Sequence, residues 1–207
     1  MTRARSVAFV SAVAASLLLS GGAQADWGRP GRGRAGQAEL LFGFGAMTSK
    51  TVSVDGFSTL DAGDGTTLDV RFQFHFNDNL GIQVEGMGER ERTTFRTPGF
   101  FPISDDTSTG FVLVNLLFDL MPGPVTPYFA VGGGPYSHRG ITFVDVNGFP
   151  FTTTENGSAF DAAFGFQGHS RGPLVWAFEG RYLYYKFSDF QDAWDRYQFS
   201  GHLGFRF

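Results

Sequence analysis

Five charged residues stand inside otherwise apolar stretches at positions two apart or in matching phase: Asp69 and Arg71, Glu85, and Glu179 and Arg181. In an extended chain such a spacing puts side chains on one face. Guanidinium and carboxylate groups on a shared face can pair, and burying them is tolerable only if they are paired and hydrogen-bonded. Gln73 and Asn115 fall in the same phase of their own stretches. This is the chemistry of an ion-paired polar interior. Catalytic sets are harder to assemble. The histidines are His75, His138, His169 and His202, and none stands two residues before a serine; Ser170 directly follows His169. Asp61-Ala62-Gly63-Asp64-Gly65 carries carboxylates without the ligand spacing of an EF-hand, so a polar turn is the better reading. Asn156-Gly157-Ser158 matches a glycosylation triplet but starts a strand and is given no role. No catalytic residue, cofactor site or metal site is assigned.

The elements that must carry these residues alternate apolar and polar at a period of two. Residues 37–47 place Ala38, Leu40, Phe42, Phe44 and Ala46 on one face and Glu39, Gly43 and Gly45 on the other. Residues 67–76 set Leu68, Val70, Phe72, Phe74 and Phe76 against Asp69, Arg71, Gln73 and His75. Further strands are predicted over 80–90, 109–120, 126–136, 158–167, 174–184 and 197–207. Which face of 126–136 points outward stays open, because that stretch is Gly-rich. The connections are expected to run long (49–66), short (77–79), long (91–108), short (121–125), long (137–157), short (169–172) and medium (185–196). Within 137–157, Asn147-Gly148 is the preferred pair for a two-residue type I′ turn, so a hairpin is expected there.

Arg3 and Arg5, the apolar run Val7 to Leu19, and Ala23-Gln24-Ala25 read as a cleaved signal peptide over residues 1–25. Residues 26–36 (DWGRPGRGRAG) read as a flexible lead-in. Residues 37–207 form one domain. The apolar run is shorter than the roughly 20 residues of a spanning helix, so any membrane span must be β. A net charge of −4 argues against a nucleic-acid partner. With no cysteine, stability must come from burial or closure. The 29 glycines and 25 phenylalanines suit tightly curved barrel strands.

The chain closes on Tyr197, Phe199, Leu203, Phe205 and Phe207, alternating with polar or small residues. This ending resembles the carboxy-terminal signature of bacterial outer-membrane β-barrels. Together with Thr126 to Gly134 (TPYFAVGGG) and Glu179-Gly180-Arg181-Tyr182, the chain resembles the small eight-stranded outer-membrane barrels of the opacity-protein and OmpA-like type. The implied fold is all-β, an eight-stranded antiparallel up-and-down transmembrane barrel with short periplasmic turns and longer extracellular loops. The resemblance also implies a cell outer membrane of Gram-negative type. The closing strand would be read by the insertion machinery after periplasmic chaperones deliver the chain, and lipids and lipopolysaccharide would surround the product. No cofactor is implied.

Eight strands leave an interior just wide enough to be filled by side chains. A packed polar core of Asp69, Arg71, Gln73, Glu85, Asn115, Glu179 and Arg181 is therefore favoured over a narrow porin-like channel for small or apolar solutes. An acyl-modifying enzyme acting on lipopolysaccharide ranks third, since no histidine stands in the His-x-Ser arrangement of lipid A deacylases. The expected role is structural, or surface interaction through loops. Phe100 and Phe101 in one loop, and Phe149 and Phe151 in another, are either contact anchors for a partner or pack on one another above the barrel mouth.

Overall fold

In the computed structural model the period-two alternation becomes a closed sheet. Residues 34–48, 50–53, 58–121, 123–144, 150–170, 172–185 and 194–207 are described. The expected signal peptide, most of the 26–36 segment, Phe149 and the Asn147-Gly148 turn lie outside them.

The strands are β1 (Ala38–Met47), β2 (Lys50–Ser53), β3 (Thr59–Ala62), β4 (Gly65–His75), β5 (Leu80–Arg96), β6 (Ile103–Asp119), β7 (Val125–Val144), β8 (Pro150–His169), β9 (Leu174–Tyr185) and β10 (Trp194–Arg206). Eight of them pair antiparallel around a ring, β1-β4-β5-β6-β7-β8-β9-β10, and β10 returns to β1. The ring is sealed at its turn end by Phe207, whose amide donates to Ala38 O at 2.8 Å. Closure leaves no unpaired edge, which a strand in lipid could not tolerate. Tight turns join β4 to β5, β6 to β7 and β8 to β9. In the first, Asn77 Oδ1 accepts from the amides of Asn79 and Leu80, both at 2.9 Å.

Phe42, Phe44, Leu68, Val70, Val112, Val114, Leu116, Phe160, Phe164, Phe178, Phe199, Leu203 and Phe205 are exposed on the outer face. The positions between them are buried, and many are polar. The open question of the Gly-rich strand is settled: Thr126, Tyr128, Ala130, Tyr136 and His138 of β7 are buried, whereas Val125 and Phe129 are exposed.

The long connections proved to be largely strand. Residues expected to form the 91–108 loop extend β5 to Arg96 and start β6 at Ile103, with sixteen paired positions from Leu80↔Phe118 to Phe95↔Ile103. The expected 49–66 loop contains the β2–β3 hairpin, which joins the sheet by pairing β3 with the end of β5. Most of 137–157 lies in β7 and β8. The reason is physical. Beyond the lipid, outward positions such as Arg90, Arg92 and Ser104 can be polar, so hydrophobic alternation fades while the backbone ladder continues.

At the far end of β7 the register is Val144↔Pro150 and Phe143↔Phe151, symmetric about residue 147. A β-bulge between Arg139 and Thr142 shifts the register by one residue, from Arg139↔Thr154 to Thr142↔Thr152. At the bulge the Thr142 amide donates to Asp105 Oδ2 at 3.0 Å. That hydrogen bond is the main reason the Asp105 carboxyl titrates below its ordinary range. Its contribution is therefore present above the usual carboxylate pKa and disappears as pH falls through the lowered value. Asp105→Asn is expected to speed amide exchange at Thr142 while leaving the apolar belt unchanged, as read residue by residue in detergent.

Candidate functional site in the barrel lumen

Inward positions at mid-height bring two guanidinium groups among four carboxylates. Arg71 of β4 lies directly across the ladder from Glu85 of β5. Its Nη1 and Nη2 donate to the two oxygens of Glu179 at 2.8 and 2.9 Å, and its Nε donates to Asp69 at 3.0 Å. Arg181 of β9 makes a second two-pronged contact, to Glu85 at 3.0 and 2.6 Å. Its Nε donates to Glu179 at 3.1 Å and lies 3.6 Å from Asp161. Each arginine thus bridges opposite walls of the barrel, a geometry only the planar fork provides.

Further side chains extend the network, although Asp161 Oδ1, Asn115 Oδ1 and Gln73 Oε1 find no partner among the described residues. Tyr128 Oη donates to Glu179 at 2.8 Å, Gln83 donates to Glu85 at 2.9 Å, and Gln73 donates to Gln83 at 2.8 Å. Asn115 donates to Asp161 at 3.0 Å. His202 Nε2 is 3.2 Å from Asp69. Two glycines make these reaches possible. A Cβ at Gly43 would lie 2.2 Å from the His202 ring and 2.3 Å from Asp69 Oδ2, because both side chains lean over that backbone to meet. A Cβ at Gly165 would lie 2.8 Å from the Tyr128 hydroxyl, which crosses β8 to reach β9.

All seven residues singled out for the polar interior, Asp69, Arg71, Gln73, Glu85, Asn115, Glu179 and Arg181, sit in this lumen. Tyr128, Asp161, Gln83 and His202 belong to the same network. Their phase in the alternation was the available signal, since each stands an even number of positions from a charged inward residue on its own strand or, for Tyr128, on a strand whose facing was open. The side-chain exposures of Arg71, Glu85 and Arg181 are 1%, 0% and 0%. A water-sized sphere therefore finds no room beside them.

Toward the turns, the layer is capped by Leu41, Leu117, Ala130, Ala163, Val175 and Ala177. Beyond it, Arg34 closes the turn end. Its Nη1 is 2.6 Å from Asp119, and Glu39 Oε1 lies 2.9 Å from His169 Nε2. His75 Nδ1 is 3.2 Å from Asp119. Arg34 and Gly36 belong to the segment expected to be flexible, yet Arg34 is buried and the Gly36 amide donates to His75 O at 2.7 Å. Toward the loops, the lumen is filled by rings packed tilted or edge-on: Tyr136–Tyr185 at 5.2 Å, Phe111–Tyr185 at 5.4 Å and Tyr185–Trp194 at 6.1 Å. Above the network Arg196 is held by Glu89, Glu91 and the carbonyl of Thr48. Reading for charge alone overlooked this aromatic plug. Tyr185 shares its phase with Glu179 and Arg181, which was signal enough to place it inside.

Tyr197, Phe199, Leu203, Phe205 and Phe207 all project from the outer wall and are exposed. Phe100 and Phe101, at the tip of the β5–β6 hairpin, are 77% and 95% exposed and so do not pack over the barrel mouth. Phe151 is placed in β8, paired with Phe143.

A closed antiparallel barrel of eight strands, apolar outside and charged within, is an integral membrane β-barrel of the outer-membrane type. No family model matches the sequence, and no curated protein matches it. Solved structures do. OprG from Pseudomonas aeruginosa superposes with a TM-score of 0.57 at 13% identity, over 84% of this chain and 97% of OprG. Neisserial surface protein A gives 0.57 at 14% identity, over 85% of this chain and all of the other, which is covered to 100%. Ail, the attachment invasion locus protein of Yersinia pestis, solved with the heparin analogue sucrose octasulfate, gives 0.52 at 20% identity, over 84% and 99%. At these identities the likeness is one of fold.

Proposed function

We propose that this chain is exported through residues 1–25 and sits in the outer membrane of a Gram-negative-type cell. There it works without catalysis, as a sealed pedestal that presents its loop-side hairpins to the outside. The closing strand, ending in Phe207, would be the part handled by the insertion machinery, and lipopolysaccharide and other outer-membrane lipids would pack on the belt. One observation carries the reading: the lumen is packed with paired charge, while β5 and β6 run past the belt to an exposed Phe100-Phe101 tip. All four histidines sit inside the barrel or at its turn-end mouth, away from the lipid-facing surface where acyl chemistry would occur. The attachment role named for Ail is a precedent for this use of the fold.

The natural chain has no cysteine, so single cysteines report topology directly. Phe101→Cys is expected to react with a membrane-impermeant maleimide on intact cells. Gly123→Cys, in the β6–β7 turn, is expected to react only after the outer membrane is opened. Reversed labelling would overturn the orientation. In planar bilayers the purified barrel is expected to give no stepwise conductance, and regular steps would favour the channel instead.

A further inference from the structure

The loop-side rim of the apolar belt differs from one side of the barrel to the other. On β9 and β10 it is lined by the exposed tyrosines Tyr182, Tyr184 and Tyr197. On β5 and β7 it carries three exposed arginines, Arg90, Arg92 and Arg139. Register places Arg90 opposite Ser108, and Ser108 opposite Arg139, so the two arginines flank one hydroxyl in a single outward row. Neighbouring strands lie about 4.8 Å apart, which sets the Arg90 and Arg139 backbones roughly 10 Å apart. Arg92 stands one step higher on the same face. Among the described residues no carboxylate lies within salt-bridge distance of these three side chains. Asp106, opposite Arg92, faces the patch and Asp105 acts on Arg139 from nearby, while Glu89 and Glu91 turn inward to Arg196. Thr66 and Thr154 continue the row on either side.

Directly below lies a bare strip of outer wall. The next row toward the turns runs Leu68, Gly88, Gly110 and Ser137. A Cβ added at Gly88 or Gly110 would meet nothing within 4 Å, so the space in front of both is open. Exposed guanidinium groups with no carboxylate in direct contact, at the border between an apolar belt and water, suit a phosphate, which the fork binds through charge-assisted hydrogen bonds.

We propose that the outer face of β5–β7 binds one molecule of a phosphate-bearing, multiply acylated membrane lipid. Its phosphate lies among Arg90, Arg92 and Arg139, and an acyl chain runs along Gly88 and Gly110. The proposal rests on the reading of the chain as an outer-membrane barrel, and adds the chemistry of the lipid and the side of the barrel it occupies.

The test is native mass spectrometry of the full barrel released from lipid nanodiscs. The nanodiscs contain either a bis-phosphorylated, multiply acylated glucosamine lipid, its dephosphorylated form, or phosphatidylcholine. The expected result is one retained phosphorylated lipid, preferred about tenfold or more over the other two, a difference of at least ~1.4 kcal/mol. Replacing Arg90, Arg92 and Arg139 together by Gln should bring retention down to the phosphatidylcholine level. Gly88→Phe should do the same with every arginine in place, and heat-modifiable gel mobility will show that this variant still folds. Inorganic phosphate at matched concentration should not displace the lipid. Equal retention by either variant, retention of the dephosphorylated lipid, or displacement by inorganic phosphate would overturn the proposal. A barrel that inserts but shows no lipid preference sinks this inference alone. A chain that fails to insert sinks the outer-membrane reading with it.

Discussion

Arg181→Leu is expected to lose about 3–5 kcal/mol of barrel stability, a large fraction of what a domain of this size has to lose. The change removes one guanidinium from a layer that holds only two against Asp69, Glu85, Asp161 and Glu179. Glu85 would keep only Arg71 Nε at 3.3 Å and the amide of Gln83, in a site that no water reaches. The destabilisation is thus the cost of a stranded carboxylate more than the net worth of the ion pair. Adding Glu85→Gln removes that charge and keeps an acceptor for Gln83. The double variant should therefore recover a good part of the loss. Urea unfolding of refolded barrels, followed by heat-modifiable mobility on gels, measures both. If single and double variants unfold alike, the pairing is not what holds the layer together.

The second large effect is on the other side of the wall. Leu203 projects from β10 into the apolar belt, beside Phe42 across the ladder. Leu203→Arg should cost roughly 2–4 kcal/mol near the bilayer midplane. His202, its neighbour, faces the opposite medium. Facing alone would make His202→Arg mild, but the ring is fully enclosed over Gly43 and bonded to Asp69. Overpacking there should cost about 1–3 kcal/mol. The discriminating change is therefore His202→Gln, which is smaller and can still donate to Asp69. It should be tolerated where Leu203→Gln is not, as judged by urea midpoints in bilayers and by outer-membrane fractionation. Equal sensitivity at 202 and 203 would deny this strand two faces.

Much of the architecture was legible because a transmembrane strand must satisfy two media at once. Leu68, Val70, Phe72 and Phe74 against Asp69, Arg71, Gln73 and His75 admits one facing only, since a slip of one residue would send every charge into lipid. The same rule located Glu85, Glu179 and Arg181 in the lumen without any knowledge of their partners. It failed where only one medium was present. Above the belt, residues 91–96 and 103–108 face water on the outside, so their strand pairing left no hydrophobic signature and they read as loop. It also failed on β7, where Gly132 to Gly134 carry no side chain to declare a face.

By itself, then, the sequence determined the number of membrane strands, the facing of all but β7 and the charged character of the interior, because local alternation records which medium each side chain meets. Only the tertiary structure decided who pairs with whom: that Arg71 spans the lumen to Glu179, that Arg181 reaches back to Glu85, that Arg34 closes the turn end, and that Tyr136, Tyr185 and Trp194 fill the loop end. Those partners lie about a hundred residues or more apart for the arginines of the central layer. Their meeting depends on how the ring closes and at what stagger, which no local pattern of alternation encodes.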